Sequence, residues 1–372
     1  MKKQNKDLAI ALRHELHQHP ELSNQEVRTK ARLIRFLKEH TDLEIVDHDT
    51  WFYAIHRGGG KKSIAFRADY DALPIYEPRD LFPHASIIEG VSHKCGHDGH
   101  ASALAGLALE VDQLKPAKDV YFLFQPAEET GDGAIQCVRM LEDNKIDEIF
   151  AFHNESGYEK GTVAIRKGIS SFASKGLIIE FTGKPSHASQ PEFGINPAWA
   201  IARIISKLPD LADASLYDGL VFSTIIQVKI GDWAFGTSAH EGNLLLTIRG
   251  LYEKDMEALD TRVRDLVIAE AEKDGLEVKF STTDYFPETR NHDVSNAKIL
   301  QVCEKLGLPS SSLEQANRWS EDFGHLTKRV PGAMFVVGNG VDAPELHTTY
   351  YDFPDEILEV AVKVFYGLIE LE

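Results

Sequence analysis

Five consecutive apolar residues, Val120-Tyr121-Phe122-Leu123-Phe124, run straight into Gln125-Pro126-Ala127-Glu128-Glu129. An uninterrupted apolar run of this kind marks a strand buried on both faces, and such strands belong to parallel sheets covered by helices. The step from strand to polar loop recurs at 149–152 before His153-Asn154-Glu155. It recurs again where a strand at 63–67 ends in Arg67-Ala68-Asp69-Tyr70-Asp71. Helical apolar spacing covers 9–18, 24–40, 101–114 and 133–141. Ser23 with Glu26 forms a capping-box pattern for the second of these helices. The Gly58-Gly59-Gly60 turn between strands at 52–56 and 63–67 reads as a hairpin. Alternating strands and helices predict an α/β domain with a mainly parallel sheet and helices on both faces.

After about residue 168 the rhythm changes. A strand at 177–182, a helix at 196–208 opening near Pro197, and strands at 220–230 and 244–251 come first. A long helix at 254–273 and a strand at 276–282 complete a β-α-β-β-α-β order, the ferredoxin-like pattern of an α+β domain. From 295 the chain returns to helix, an apolar strand at 333–337 and a last helix from Pro354. The expected organisation is a catalytic domain of 1–170 and 287–372 interrupted by an inserted domain of 171–286.

Composition narrows the function. With 40 Lys+Arg against 58 Asp+Glu the net charge is −18, and no basic patch offers itself to nucleic acid. No apolar run approaches a membrane span, and Met-Lys-Lys-Gln-Asn-Lys-Asp lacks the apolar core of a signal peptide. A cytoplasmic protein without membrane partners is expected. Three cysteines make no disulfide framework. Cys137 and Cys303 read as core packing, and His14, His17, His19 and His40 as solvated residues on surface helices.

That leaves Cys95-Gly96-His97-Asp98-Gly99-His100, where thiolate and imidazole, common transition-metal ligands, flank a glycine that lets both approach one centre. Asp98 caps the following helix or orients an imidazole, and His93 and His100 read as supporting residues. Of the adjacent Glu128 and Glu129, one can ligate while the other serves as general base. His153 and His347 offer further nitrogens. Each by itself is more often a hydrogen-bonded core histidine than a ligand, but their places beyond strand ends, where α/β sheets bind ligands, favour ligation.

Seven ordered segments carry a wider likeness. They are 12–23 (Leu-Arg-His-Glu-Leu-His-Gln-His-Pro-Glu-Leu-Ser), 67–74 (Arg-Ala-Asp-Tyr-Asp-Ala-Leu-Pro), 93–100, 125–129, Ser186-His187-Ala188, Ser320-Glu321-Asp322-Phe323 and Leu346-His347. Together they resemble the amino-acid amidohydrolase family of co-catalytic metallopeptidases, which includes hippurate hydrolases, indole-acetyl-amino-acid hydrolases and N-acetyldiaminopimelate deacetylases. The resemblance implies two divalent ions (manganese, zinc, cobalt or nickel) on Cys95, His97, Glu129, His153 and His347, with Glu128 as general base and Asp69 as an orienting residue. It implies that the inserted domain is a lid that also makes a homodimer, with His187 reaching the substrate carbonyl within its own chain or across the dimer interface. The implied reaction is deacylation of an N-acyl amino acid or related small amide by a metal-activated water. A dipeptidase or aminopeptidase on the same metals, and a non-catalytic binding protein that keeps the fold, are the competing readings. One stretch departs from the pattern. Where many relatives carry Asn-x-Ile-Pro and Gly-Thr-x-Arg, this chain reads Gly236-Thr237-Ser238-Ala239-His240-Glu241-Gly242-Asn243 and then Leu246-Thr247-Ile248-Arg249. Arg249 remains as a carboxylate clamp for the substrate.

Overall fold

The apolar runs become the middle of a sheet because their neighbours in the chain are helices able to cover both faces. The computed structural model describes residues 1–371. Its elements begin with α1 (Lys3–Gln18), α2 (Val27–His40), β1 (Glu44–Asp47), β2 (Phe52–His56) and β3 (Ser63–Asp69). There follow α3 (His97–Leu114), β4 (Asp119–Gln125), α4 (Gly133–Asn144), β5 (Glu148–Glu155), β6 (Val163–Ile165) and β7 (Gly168–Ser171). Next come β8 (Ala173–Thr182), β9 (Ser186–His187), α5 (Ala198–Leu211), β10 (Val221–Ile230), β11 (Thr237–Ser238), β12 (Glu241–Gly250), α6 (Glu253–Asp274) and β13 (Glu277–Phe286). The chain closes with β14 (Thr289–Asn291), α7 (Asp293–Leu306), β15 (Ser310–Ser312), α8 (Gly324–Thr327), β16 (Gly332–Gly338) and α9 (Asp355–Glu370). No helix among the described residues is long and apolar enough to cross a membrane.

The chain divides into two compact units. The first takes Met1–Ser170, Thr289–Ala316 and the stretch from Asp322, and the second takes Ser171–Glu288 with Asn317–Glu321. Residues 317–321, expected with the first unit, pack in the second because its backbone and Arg249 capture them. Phe172 N donates to Asn317 O (3.1 Å), and Arg249 Nη1 to Arg318 O (2.9 Å).

In the first unit the strands run in the order β1-β2-β4-β3-β5-β16-β6-β15. β4, β3, β5 and β16 are parallel to their neighbours in that central block, while β1, β2 and β6 supply antiparallel pairings. Phe52, Phe66, Phe122, Phe124 and Phe150 are wholly buried. Truncating one such ring costs about 3–5 kcal/mol, a large share of a domain's stability. Every residue of α3 from His97 to Val111 is buried. Its run of Ala and Gly lets α1 and α9 pack against it, and a helix apolar all round belongs inside.

Two local expectations fail for traceable reasons. The hairpin between 52–56 and 63–67 does not form, because β4 lies between β2 and β3. The glycine turn instead packs on the start of β4. Gly60 N donates to Ala117 O (2.8 Å), Gly58 N to Asp119 Oδ1 (2.8 Å), and a Cβ on Gly58 would stand 2.4 Å from the Ala117 carbonyl carbon. The capping box at Ser23 and Glu26 is also absent. Glu21 caps α2, its Oε2 accepting from Arg28 N (2.8 Å) and Thr29 N (2.7 Å). Ser23 and Glu26 are drawn away to Asp71 and to the Ala127 amide.

The second unit has the β-α-β-β-α-β order in β8, α5, β10, β12, α6 and β13, with strands arranged β10-β12-β8-β13. All its neighbouring pairs are antiparallel. Alternate residues Leu177, Ile179 and Phe181 of β8 and Leu244, Leu246 and Ile248 of β12 face Ile201, Ile204, Leu259 and Val263 in one core.

Candidate metal centre

Because β3, β4 and β5 are parallel, their carboxyl ends open on one edge, and the loops that follow bring polar residues together there. β3 delivers Asp69 and, two residues on, Asp71. β4 delivers Glu128 and Glu129, and β5 carries His153 and Asn154 at its end. The Cys95–His97 turn arrives at the start of α3. That helix begins at His97 with Gly96 before it, four residues earlier than the spacing predicts. Gly96 has φ +98°, and a Cβ there would lie 2.3 Å from Asn154 Oδ1 and 2.9 Å from Tyr351 Oη. Only glycine fits.

Six of the expected residues meet in this place. Cys95 Sγ lies 3.6 Å from His153 Nε2 and 3.4 Å from His347 Nε2. Glu129 Oε1 lies 3.6 Å from His347 Nε2 and 3.8 Å from His97 Nε2. Glu128 Oε2 stands 3.9 Å from His97 Nε2. Two ligands of one tetrahedral ion, bonded at about 2.0–2.3 Å, stand about 3.3–3.8 Å apart, so the spacings among Cys95, His97, Glu129, His153 and His347 fit shared coordination, while Glu128 stands just beyond it. The groups Cys95/His97/His153, Cys95/Glu129/His347 and His97/Glu128/Glu129 each converge within 4.8 Å. His97 Nε2 and Glu129 Oε1 are buried with no hydrogen-bond partner, which is costly unless something charged completes the site.

The electrostatics agree. Burial, with Asp71 and Asp69 nearby, pushes the Glu129 carboxyl up to about 7 despite the opposing pull of His97. Burial and the carboxylates of Glu129 and Glu128 drive the Cys95 thiol well above its ordinary range. Burial opposes charge on His97, yet Asp69, Asp71 and Glu129 raise it to about 10. Burial and neighbouring His100 hold His153 well below the usual range. The cluster is short of positive charge, and a divalent cation is the species that supplies it.

The supporting residues differ from expectation. Asp69, anticipated as the orienting residue, bonds His100 Nδ1 (2.6 Å) and Arg67 Nη1 (2.6 Å). Asp71 instead orients a candidate ligand. Its Oδ1 takes His97 Nδ1 (3.0 Å), while Oδ2 accepts from Glu129 N (3.0 Å) and Ser23 Oγ (2.7 Å). One carboxylate thus sets the tautomer of His97 and the backbone of Glu129. Lying two residues beyond Asp69 at a strand end, it faces the same side, and that alternation was the available signal. His100 is engaged at both nitrogens, the second by Asn154 Oδ1 (2.6 Å), so it supports and does not ligate. His93 is buried with both ring nitrogens unpartnered, and burial lowers it to about 4. Arg67 also reaches Gln125 (2.8 Å) and Asp322 (2.8 Å), which gives the Ser320–Phe323 motif an anchoring member. Asp98 does not cap α3. His17, expected in solvent, is wholly buried and binds Asp98 Oδ2 at 2.8 Å. Ala127 and His347 both hold positive φ, +50° and +62°, a strain of order 1 kcal/mol each that the surrounding contacts must impose.

His187 and Arg249 belong to the second unit. His187 is exposed, its Nδ1 bonded to Ser189 Oγ (2.7 Å), and its strand β9 pairs with β11, so the departing stretch 236–243 adjoins it. Arg249 Nη1 donates to Arg318 O (2.9 Å) and Ser320 Oγ (2.8 Å), and no carboxylate among the described residues pairs with it.

Comparison with known proteins extends this geometry. Residues 65–371 match the model of peptidase family M20/M25/M40. The chain is 31% identical over 366 residues to an N-acetylcysteine deacetylase of Bacillus subtilis strain 168, covering 96% of this chain and 94% of that one. It is 31% identical over 364 residues to an N-acetyldiaminopimelate deacetylase of Exiguobacterium sibiricum, covering 94% and 95%. Among solved structures, a dinuclear metal-binding M20 peptidase of Bacillus subtilis superposes with a TM-score of 0.81 at 28% identity, covering 99% of this chain and 98% of that one. With the match spanning most of its length, the chain belongs to peptidase family M20/M25/M40, and it is a metal-dependent amidohydrolase.

Proposed function

We propose that the chain removes the acyl group from N-acyl amino acids or closely related small amides, using two divalent cations held by Cys95, His97, Glu129, His153 and His347. The observation that carries this reading is the convergence of those five donors around two buried atoms, His97 Nε2 and Glu129 Oε1, that hydrogen-bond to nothing among the described residues. The deacetylase relatives favour an acyl amide over a peptide. Cations of this class, when bound, polarise an amide carbonyl and make hydroxide accessible near neutral pH.

The protein's own groups do the rest. Glu128, buried and one residue from Glu129, takes the proton released by the attacking water and passes it to the departing amine nitrogen. Asp71 and the His153 Nδ1 contact to Asn154 O (2.7 Å) hold two imidazoles in the tautomer that presents Nε2. The second unit acts as the lid. In this reading His187, of the same chain or of a second copy, donates to the amide oxygen, and Arg249 receives the substrate carboxylate. Its edge strand β10 exposes Ile225, Ile226 and Val228, and the next turn exposes Trp233 and Phe235. An apolar, unpaired edge of this kind supports pairing with a second copy. A cytoplasmic setting remains part of this proposal.

Protein reconstituted with Mn²⁺, Co²⁺ or Zn²⁺ and offered N-acetyl amino acids beside dipeptides tests the reading. Acetate release with little dipeptide cleavage is expected. Higher kcat/KM on dipeptides contradicts it, and no hydrolysis with less than one ion per chain marks a binding protein.

A further inference from the structure

The proposed chemistry leaves unused a group of buried charges beneath the metal turn. Lys94 immediately precedes Cys95 and Asp98 immediately follows His97, so the two residues bracket the turn that carries both ligands. Lys94 Nζ, wholly buried, donates to the Glu77 carboxylate and to Tyr351 O (2.7 Å). Glu77 also accepts from His17 Nε2 (3.1 Å) and Ser86 N (2.5 Å). His17 Nδ1 reaches across to Asp98 Oδ2 (2.8 Å), where Arg13 Nη1 donates as well (3.2 Å). The chain of contacts Lys94–Glu77–His17–Asp98–Arg13 therefore grips the turn at both ends. Lys94 has a second hold. Its backbone carbonyl accepts from His347 N (2.7 Å), so one residue ties the Cys95 loop to the His347 loop.

These loops need external restraint. Residues 93–96 precede α3 without regular structure, and His347 sits in irregular chain at positive φ. Neither would keep its spacing by backbone hydrogen bonding alone. The group is not a second ion site, although His17, His84 and Asp352 converge as ligands would. The Arg13 guanidinium already stands among them, 2.8 Å from Asp352 Oδ1 and 2.9 Å from His84 Nε2, and it supplies the cation the carboxylates require.

We infer that Arg13, His17, Glu77, Lys94 and Asp98 form a positioning brace that sets metal affinity by holding Cys95, His97 and His347 at coordination spacing. The inference rests on the proposed metal site and adds two residues that flank its turn, Lys94 and Asp98, and three that lie farther off in sequence, Arg13, His17 and Glu77. Its members touch neither substrate nor metal.

Co²⁺ is the probe, since thiolate ligation gives an absorption band that reports on Cys95 directly. Affinity is read by chelator competition on the full chain, and the melting temperature of the metal-free protein monitors folding. Glu77→Gln keeps the shape but loses the charge that joins Lys94 to His17. It is expected to weaken Co²⁺ binding about 10–100-fold, the range for losing support behind a ligand, and to shift the thiolate band. Lys94→Arg, which keeps a buried cation, is expected to retain most of the affinity. If Glu77→Gln does not fold, the double variant Lys94→Met/Glu77→Gln, which removes both charges, is judged by the same criteria. Lys175→Met supplies the comparison. It breaks a buried pair in the second unit, Lys175 with Asp260 at 2.7 Å, and should lower the melting temperature without changing Co²⁺ affinity. A folded brace variant with wild-type affinity and band overturns the brace while leaving the metal site standing. Wild-type protein that binds no Co²⁺ overturns the metal reading, and the brace with it.

Discussion

The surroundings of Cys95 and of His187 both carry expected site residues, yet they are held in opposite ways. In the first unit His97, His100, Asp69, Asp71 and Asn154 are at most 1% exposed, and each has a hydrogen-bond partner of its own. In the second unit His187 is exposed with a local contact to Ser189, and Trp233 and Phe235 are 101% and 98% exposed. Gly236 has nothing within 4 Å of where a side chain would begin. Reacting groups must keep fixed spacing, so they are over-determined by packing and buried hydrogen bonds. Loops that select the acyl group or the amino acid gain from room to vary. Changes in the first set should therefore alter rate or metal for every substrate alike, and changes in the second should alter the ranking of substrates.

The largest expected effect is at Glu128. Glu128→Gln should lower kcat by about 10²–10⁴ on every substrate while metal content, read by elemental analysis, stays at the wild-type level. A metal-loaded variant with near-normal turnover would move the proton to another residue. Asp71→Asn comes next. Losing the carboxylate behind His97 should weaken metal binding about 10–100-fold, measured by chelator competition, with a uniform loss across substrates when metal is limiting. Gly236→Asn tests the other side of the comparison. It should leave metal affinity unchanged and change relative kcat/KM among N-acetyl amino acids by a few-fold, about 1 kcal/mol. A uniform loss instead would place this loop with the reacting groups.

The smallest expected effect is on stability, in the brace. Burial opposes the charge on Glu77, but His17 and Lys94 lower it from 4.5 to about 2. That contribution is complete above pH 4.5 and is lost as pH falls towards 2. Burial also opposes charge on His17, but Asp98 and Glu77 raise it from 6.5 to about 9. That contribution is complete below pH 6.5 and is lost as pH rises through 9. The melting temperature of the metal-free protein should therefore peak between pH 4.5 and 6.5 and fall by roughly a few degrees on either side. Glu77→Gln should flatten the acid limb.

Periodicity in the chain was enough for the parallel core and for the β-α-β-β-α-β order of the second unit, because both are written in local apolar spacing. Strand order was not, since β4, from much farther along the chain, pairs with both β2 and β3 and separates them. The strand-end rule singled out Glu128 and Glu129 as candidates. Cys95 and His97 showed through their ligand chemistry, and His153 and His347 depended on the wider resemblance. Asp71 was overlooked in favour of Asp69 because choosing between two carboxylates at a strand end requires knowing which imidazole faces them. His17 looked solvated because the helical pattern of α1 cannot reveal that Glu77 and Asp98 wait on its polar side. Ser23 and Glu26 matched a capping box, but tertiary partners outbid the local one.

The central claim is that the five donors of the first unit hold the metal. Crystals grown with Mn²⁺ or Zn²⁺ and measured at the metal's absorption edge test it directly. Anomalous density is predicted between Cys95, His97, Glu129, His153 and His347. Density absent there, or found only among His17, His84 and Asp352, would contradict the account.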